Sequence, residues 1–128
     1  MAWRAPSTPP DGVAISGYDP VAYFTENRPV KGSPEHAATH DGAAFWFASA
    51  ANRDRFTADP RRFAPQYGGY CAYGLSEGYK ATTAPDAFTV HEDRLYLNYS
   101  RDVRDLWDKE RTARIAAADR NWPQVSDR

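Results

Sequence analysis

Apolar and polar positions along the chain fall into short runs, each closed by a turn or a capping residue. Asp19-Pro20 predicts a helix start, because Asp can cap free amides and proline is pre-set for the first helical position. Val21 to Phe24 carry that helix on, and Asn27-Arg28-Pro29 stops it. Residues 35 to 48 read as a hairpin around His40-Asp41-Gly42, with Phe45-Trp46-Phe47 as its aromatic strand. Ser49 predicts a cap for a helix through residue 58, and Asp59-Pro60 predicts a second short helical piece. Phe56 and Phe63 then share a face. Residues 64 to 80 hold enough glycine and proline for a structured loop, with a helical turn after Gly69.

The second half is patterned in a similar way. Phe88 to Tyr99 read as another hairpin, with His91-Glu92-Asp93-Arg94 as the turn and Leu95, Leu97 and Tyr99 alternating with Tyr96 and Asn98. Ser100 predicts a cap for one long helix from residue 101 to 120. Val103, Leu106, Trp107, Ala113 and Ala117 form its apolar side, which Glu110 and Arg114 interrupt. Asn121-Trp122-Pro123 ends it. The sum is a small single α+β domain with two antiparallel hairpins, short helices and a long C-terminal helix. Residues 1 to 11 read as a flexible lead-in, 12 to 123 as the domain and 124 to 128 as a tail. No internal repeat is read between them.

Composition narrows the class. The 128 residues suffice for one core, and the 14% aromatic share offsets a scarcity of long aliphatic residues. A net charge of −1 gives no global reason to bind nucleic acid or an anionic membrane. No run of about 18 apolar residues predicts a membrane span. Met1-Ala2-Trp3-Arg4-Ala5-Pro6 lacks the apolar stretch of a signal peptide.

Candidate chemistry centres on Cys71, the one cysteine of the sequence, which therefore has no partner for a disulfide within the chain. It lies in Gln66-Tyr67-Gly68-Gly69-Tyr70-Cys71-Ala72-Tyr73-Gly74. Gly68 and Gly69 permit a tight turn that would aim amides at the sulfur. Tyr70 and Tyr73 could donate hydrogen bonds to a thiolate or wall off water. Lys80, Arg53 and Arg62 are cations that could lower the thiol's pKa. As metal partners the sequence offers His36, His40 and His91. On a strand His36 and His40 lie about 13 Å apart and cannot share one ion; His91 falls in the predicted turn. Copper(I) accepts few, soft ligands, so Cys71 with one histidine is conceivable. A closed four-ligand zinc site is poorly supported. A dithiol cycle within the chain is excluded, because there is no second thiol.

Several segments together carry a family likeness. They are Gly17-Tyr18-Asp19-Pro20-Val21-Ala22-Tyr23-Phe24, Phe45-Trp46-Phe47-Ala48-Ser49, Pro65-Gln66-Tyr67-Gly68-Gly69-Tyr70-Cys71-Ala72, Leu95-Tyr96-Leu97-Asn98-Tyr99 and Ala118-Asp119-Arg120-Asn121-Trp122-Pro123. The chain resembles the YHS-domain proteins, in the subgroup with the Gly-Gly-Tyr-Cys-Ala-Tyr-Gly segment, over residues 12 to 123. The resemblance implies a metal-associated module and an exported or periplasmic location. It also implies chalcogen chemistry at Cys71, since some members carry selenocysteine there. The chain departs from the family at Ala48 and Ala51, where the usual metal-binding cysteines are missing.

Two functional expectations follow. The first is a domain centred on Cys71 that binds a soft transition metal of the copper type or does thiol redox chemistry; as an enzyme it would be a thiol-dependent oxidoreductase. The second is a non-catalytic module that binds a small molecule or a protein in an aromatic pocket of Tyr67, Gly68, Gly69, Tyr70 and Tyr73, with Cys71 buried and incidental.

Overall fold

The computed structural model describes residues 13 to 126; the predicted lead-in lies outside them. A left-handed turn at Ile15-Ser16-Gly17 leads into α1 (Pro20–Thr25), then β1 (Ser33–His40), β2 (Ala43–Phe47), α2 (Ala50–Ala58) and α3 (Pro60–Phe63). A second left-handed turn at Tyr67-Gly68-Gly69 leads into α4 (Ala72–Ser76), β3 (Phe88–His91), β4 (Arg94–Leu97), α5 (Arg101–Asp108) and α6 (Arg111–Val125). β1 pairs antiparallel with β2, and β3 with β4, as two separate sheets. The α+β expectation therefore holds.

The chain is built twice on one plan, which the residue pattern did not disclose. Turn, helix, hairpin, helix and helix follow one another in each half. The hairpins and the helices after them correspond at a separation of 51 positions, as Ser49 does to Ser100 (100 − 49). The registers agree: His40 pairs with Ala43 and His91 with Arg94, Ala38 with Phe45 and Thr89 with Tyr96. Ser49 Oγ receives the Asn52 amide at 3.2 Å, and Ser100 Oγ receives that of Val103 at 3.2 Å. Each such cap contributes about 1 kcal/mol. The phenyl of Phe56 and the indole of Trp107 occupy matching buried places. The segments from Phe45 to Phe56 and from Tyr96 to Trp107 share only an aromatic at each end, the capping serine and one Arg-Asp pair. That is too little identity for a repeat to be seen without coordinates.

Each half has its own core. Ile15, Val21, Tyr23, Phe45, Phe47, Phe56 and Phe63 form the first; Tyr67, Tyr70, Leu75, Tyr96, Trp107, Ala118 and Val125 form the second. β4 serves both. Leu95 and Leu97 enter the first core, while Tyr96 between them enters the second. This is the alternation expected of a strand, with both faces buried.

Three sequence expectations are corrected. The long helix is two helices, broken at Lys109 and Glu110, where Glu110 takes a non-helical φ of −131°. The break falls where Glu110 interrupted the apolar stripe. After it, Ile115, Ala118, Trp122 and Val125 face the second core, whereas Leu106 and Ala113 are exposed. Pro123 does not end α6, which continues to Val125 because the buried Val125 side chain holds the last turn. The supposed tail is thus helical at Gln124 and Val125. Asp59 starts α3 without a side-chain cap.

Asp19 makes the predicted cap and more. Its carboxylate is fully buried. Oδ1 accepts from the amides of Val21 (2.8 Å) and Ala22 (3.3 Å). Oδ2 accepts from the Ala48 amide (2.9 Å) and Asn52 Nδ2 (2.8 Å). One side chain thus ties α1 to the end of β2 and the start of α2. Asn normally caps as well as Asp, but here its NH₂ would face two donors. Asp19→Asn should therefore lower the unfolding free energy in denaturant titration by about 3 kcal/mol. A loss below about 1 kcal/mol would show that the second oxygen is dispensable.

Candidate functional site

Cys71 is the N-cap of α4, the place that Asp19 holds before α1. The surrounding bonds match as well. The Asp19 amide reaches Val30 O at 2.8 Å and the Cys71 amide reaches Ala81 O at 3.1 Å. Gly17 O receives the Gly32 amide, and Gly69 O receives the Thr83 hydroxyl. Cys71 is 2% exposed. It accepts the Gly74 amide at 3.5 Å and donates its S–H to Asn98 Oδ1 at 3.4 Å. Asn98 Oδ1 also receives the Tyr73 amide at 2.9 Å, which fixes the amide's orientation. Asn98 Nδ2 is buried and has no partner among the described residues.

The histidines do not gather at this thiol. His36 and His40 both lie on β1. The His40 ring packs on Phe45 and Phe56 and stands 3.3 Å from the Asp41 carboxylate. His91 is the last residue of β3 rather than part of the turn, which Glu92 and Asp93 alone form. Its Nδ1 meets Arg111 Nη1 at 3.1 Å. Among the described residues no group of three or more His, Cys, Asp or Glu side chains is placed to hold a metal ion. Lys80 lies over the Tyr70 ring, 4.9 Å from its centroid, and Arg114 over that of Tyr73 at 4.0 Å. Neither Tyr70 nor Tyr73 opens a pocket at the sulfur.

A cleft of about 730 Å³ lies elsewhere, between the tips of the two hairpins and α6. Of the predicted pocket residues only Tyr67 and Gly68 line it; Gly69, Tyr70 and Tyr73 do not. Tyr67 holds a left-handed backbone (φ 60°), which is uncommon for a bulky residue. That turn aims its ring into the cleft, where its hydroxyl donates to Asp119 Oδ1 at 2.8 Å. Its ring lies 6.0 Å from that of Tyr96 and 6.3 Å from that of Trp122. Tyr96 is 3% exposed, yet no hydrogen bond among the described residues uses its hydroxyl. Burial, then the nearby Asp119 carboxylate, pushes the Tyr96 phenol above its ordinary pKa. Burial and the hydrogen bond to Asp119 do the same to Tyr67.

The charges that line the cleft are unevenly matched. Asp41 stands against His40 and Glu92 against His91, while Asp119 is engaged by Tyr67. Arg61 and Arg94 have no carboxylate within ion-pair distance among the described residues. Arg61, Arg94, Tyr96, Asp119 and Trp122 were absent from the sequence-derived site. The one available signal was a tyrosine set between two leucines of a strand.

Two outcomes test this picture. The buried Cys71 thiol should react with a disulfide reagent more than about a hundredfold more slowly in the native protein than in denaturant. Equal rates would mean an open, reactive thiol. Tyr23, Tyr67 and Tyr96 are all held above the ordinary 10.0, first by burial. The folded state thus favours their neutral rings. Their contribution to stability is complete below pH 10 and is lost as pH rises through the folded values. Alkaline titration should show these three ionising only together with cooperative unfolding. A single smooth step with the fold retained would contradict it.

Comparison with protein-family models, with curated proteins and with solved structures found no match to this chain.

Proposed function

We propose that the chain is a non-catalytic binding domain that holds a small molecule in the cleft between its hairpins, with Cys71 serving the fold as a helix cap. The observation that carries this reading is Tyr96. Its ring is almost wholly buried, its hydroxyl is unused by the described residues, and it lines the cleft. The hydroxyl is not sealed inside the protein but open to the cleft, where a ligand can hydrogen-bond to it. The cleft has the size of small-molecule sites, and its lining sets aromatic rings among charged and polar groups.

A second reading keeps a soft-metal or thiol-redox centre on Cys71, as the YHS likeness implies. The observation in its favour is the amide of Gly74 directed at the sulfur, a contact that strengthens if the thiol ionises. Copper retained under reducing conditions by wild type and lost in Cys71→Ser would support it.

The cleft reading is tested by backbone NMR with a panel of small aromatic compounds of different charge. The expected result is saturable shifts at Gly68, Arg94, Asp119 and the Trp122 indole. Absence of saturable shifts at these positions across the panel would overturn it.

A further inference from the structure

The doubled architecture supplies an internal control for the cleft. β2 and β4 have the same register against their partners, the same turn before them and the same capped helix after them. Where β4 has Arg94, β2 has Ala43; where β4 has Tyr96, β2 has Phe45. Phe45 fills its core without a hydroxyl, and Ala43 is buried without a charge. A hairpin of this kind therefore needs neither the guanidinium of Arg94 nor the oxygen of Tyr96. Both sit on one strand, two residues apart, and so project to the same face of it. Both line the cleft.

The pairing of the charges, rather than their balance, gives the ligand's sign. The three carboxylates of the cleft already face His40, His91 and Tyr67, and the two arginines face no carboxylate among the described residues. Arg61 and Arg94 also border an adjoining hollow with Arg62, where Asp59, Glu92 and Asp93 balance the three arginines, so the case for an anion rests on the two unpaired guanidiniums of the cleft itself. The rings of Tyr67, Tyr96 and Trp122 give its shape: Tyr67 meets the other two at 52° and 63°, a lining of edges and faces that suits an aromatic partner.

Resting on the cleft reading above, we infer that the ligand is a flat organic anion, a carboxylate joined to an aromatic or conjugated ring. The carboxylate receives the Arg94 guanidinium and the Tyr96 hydroxyl, Arg61 adds long-range attraction, and the ring lies against Tyr67 and Trp122. Arginine suits this task because its planar fork matches a carboxylate. Tyr96 suits it because its neutral phenol keeps a proton to donate. The same cleft discriminates against the uncharged amide of the same ring, which leaves the guanidinium without its counter-charge.

The test is an NMR titration of the full chain with benzoate, benzamide and inorganic phosphate. It is repeated with Arg94→Ala and Tyr96→Phe, which install the residues that the first half carries. Benzoate should shift the cleft amides saturably, with benzamide and phosphate each at least about tenfold weaker. Each substitution should weaken benzoate by about tenfold while the remaining spectrum stays folded. Benzamide binding at the same residues as tightly as benzoate would overturn the anion while leaving the cleft reading intact. Phosphate binding as tightly as benzoate would overturn the aromatic requirement. Unchanged benzoate affinity in both variants would remove Arg94 and Tyr96 from the site. No saturable shift from either aromatic probe, together with none from the wider aromatic panel, would overturn both readings.

Discussion

The fold depends on β4 being buried on both faces. Leu95 and Leu97 are inserted into one core and Tyr96 into the other, so a strand of four residues joins two half-domains. Burial of these side chains contributes about 2 kcal/mol each. The directional constraint matters as much as the energy. A one-residue slip would send both leucines towards the tyrosine's place and the tyrosine towards theirs. Register at β4 therefore sets how the halves meet, and their meeting forms the cleft.

Within each half the first helix is fixed by its cap. Asp19 does this with four hydrogen bonds, two of them to groups at the end of the hairpin. Cys71 does it more weakly, with one amide and one side-chain contact. In the second half the last helix is much longer than α3: α6 packs along α4 and covers the second core. Asn121 Nδ2 reaches Leu75 O at 2.8 Å, and Arg114 reaches Ser76 Oγ at 2.9 Å. A thiol in the capping place suits such an environment, because sulfur is apolar enough to be buried and polar enough to accept an amide.

The two halves have diverged in what they do with equivalent positions. The first uses Ala43 and Phe45 to close its core, and the second uses Arg94 and Tyr96 to border a cleft. The left-handed turn shows the same division. Ile15 fills the first core, whereas Tyr67, in the same backbone conformation, crosses the cleft to Asp119. Strained backbone under a bulky side chain persists only where the surroundings hold it. The Tyr67–Asp119 hydrogen bond and the tilted ring contacts with Tyr96 and Trp122 hold it here.

The local elements were legible because their signals are short-range. Asp19-Pro20, Ser49 and Ser100 start helices by satisfying amides two or three residues on, and Asp41-Gly42 turns a hairpin with two left-handed residues. The alternation of Leu95, Tyr96 and Leu97 announced a strand, and Phe56 with Phe63 announced a shared core. The presence of Cys71 at a helix start was legible too. What surrounds it was not, since Asn98 lies 27 residues away and reaches the sulfur only because β4 ends beside α4. The cleft was hidden for the same reason. Its walls come from a turn, a strand and a helix that no spacing rule connects. Sequence by itself determined the elements and their caps, which depend on neighbours along the chain. Tertiary structure alone decided which tyrosine ring is buried with its hydroxyl unused by the described residues, which arginines have no carboxylate partner among those residues, and that the chain is one plan used twice.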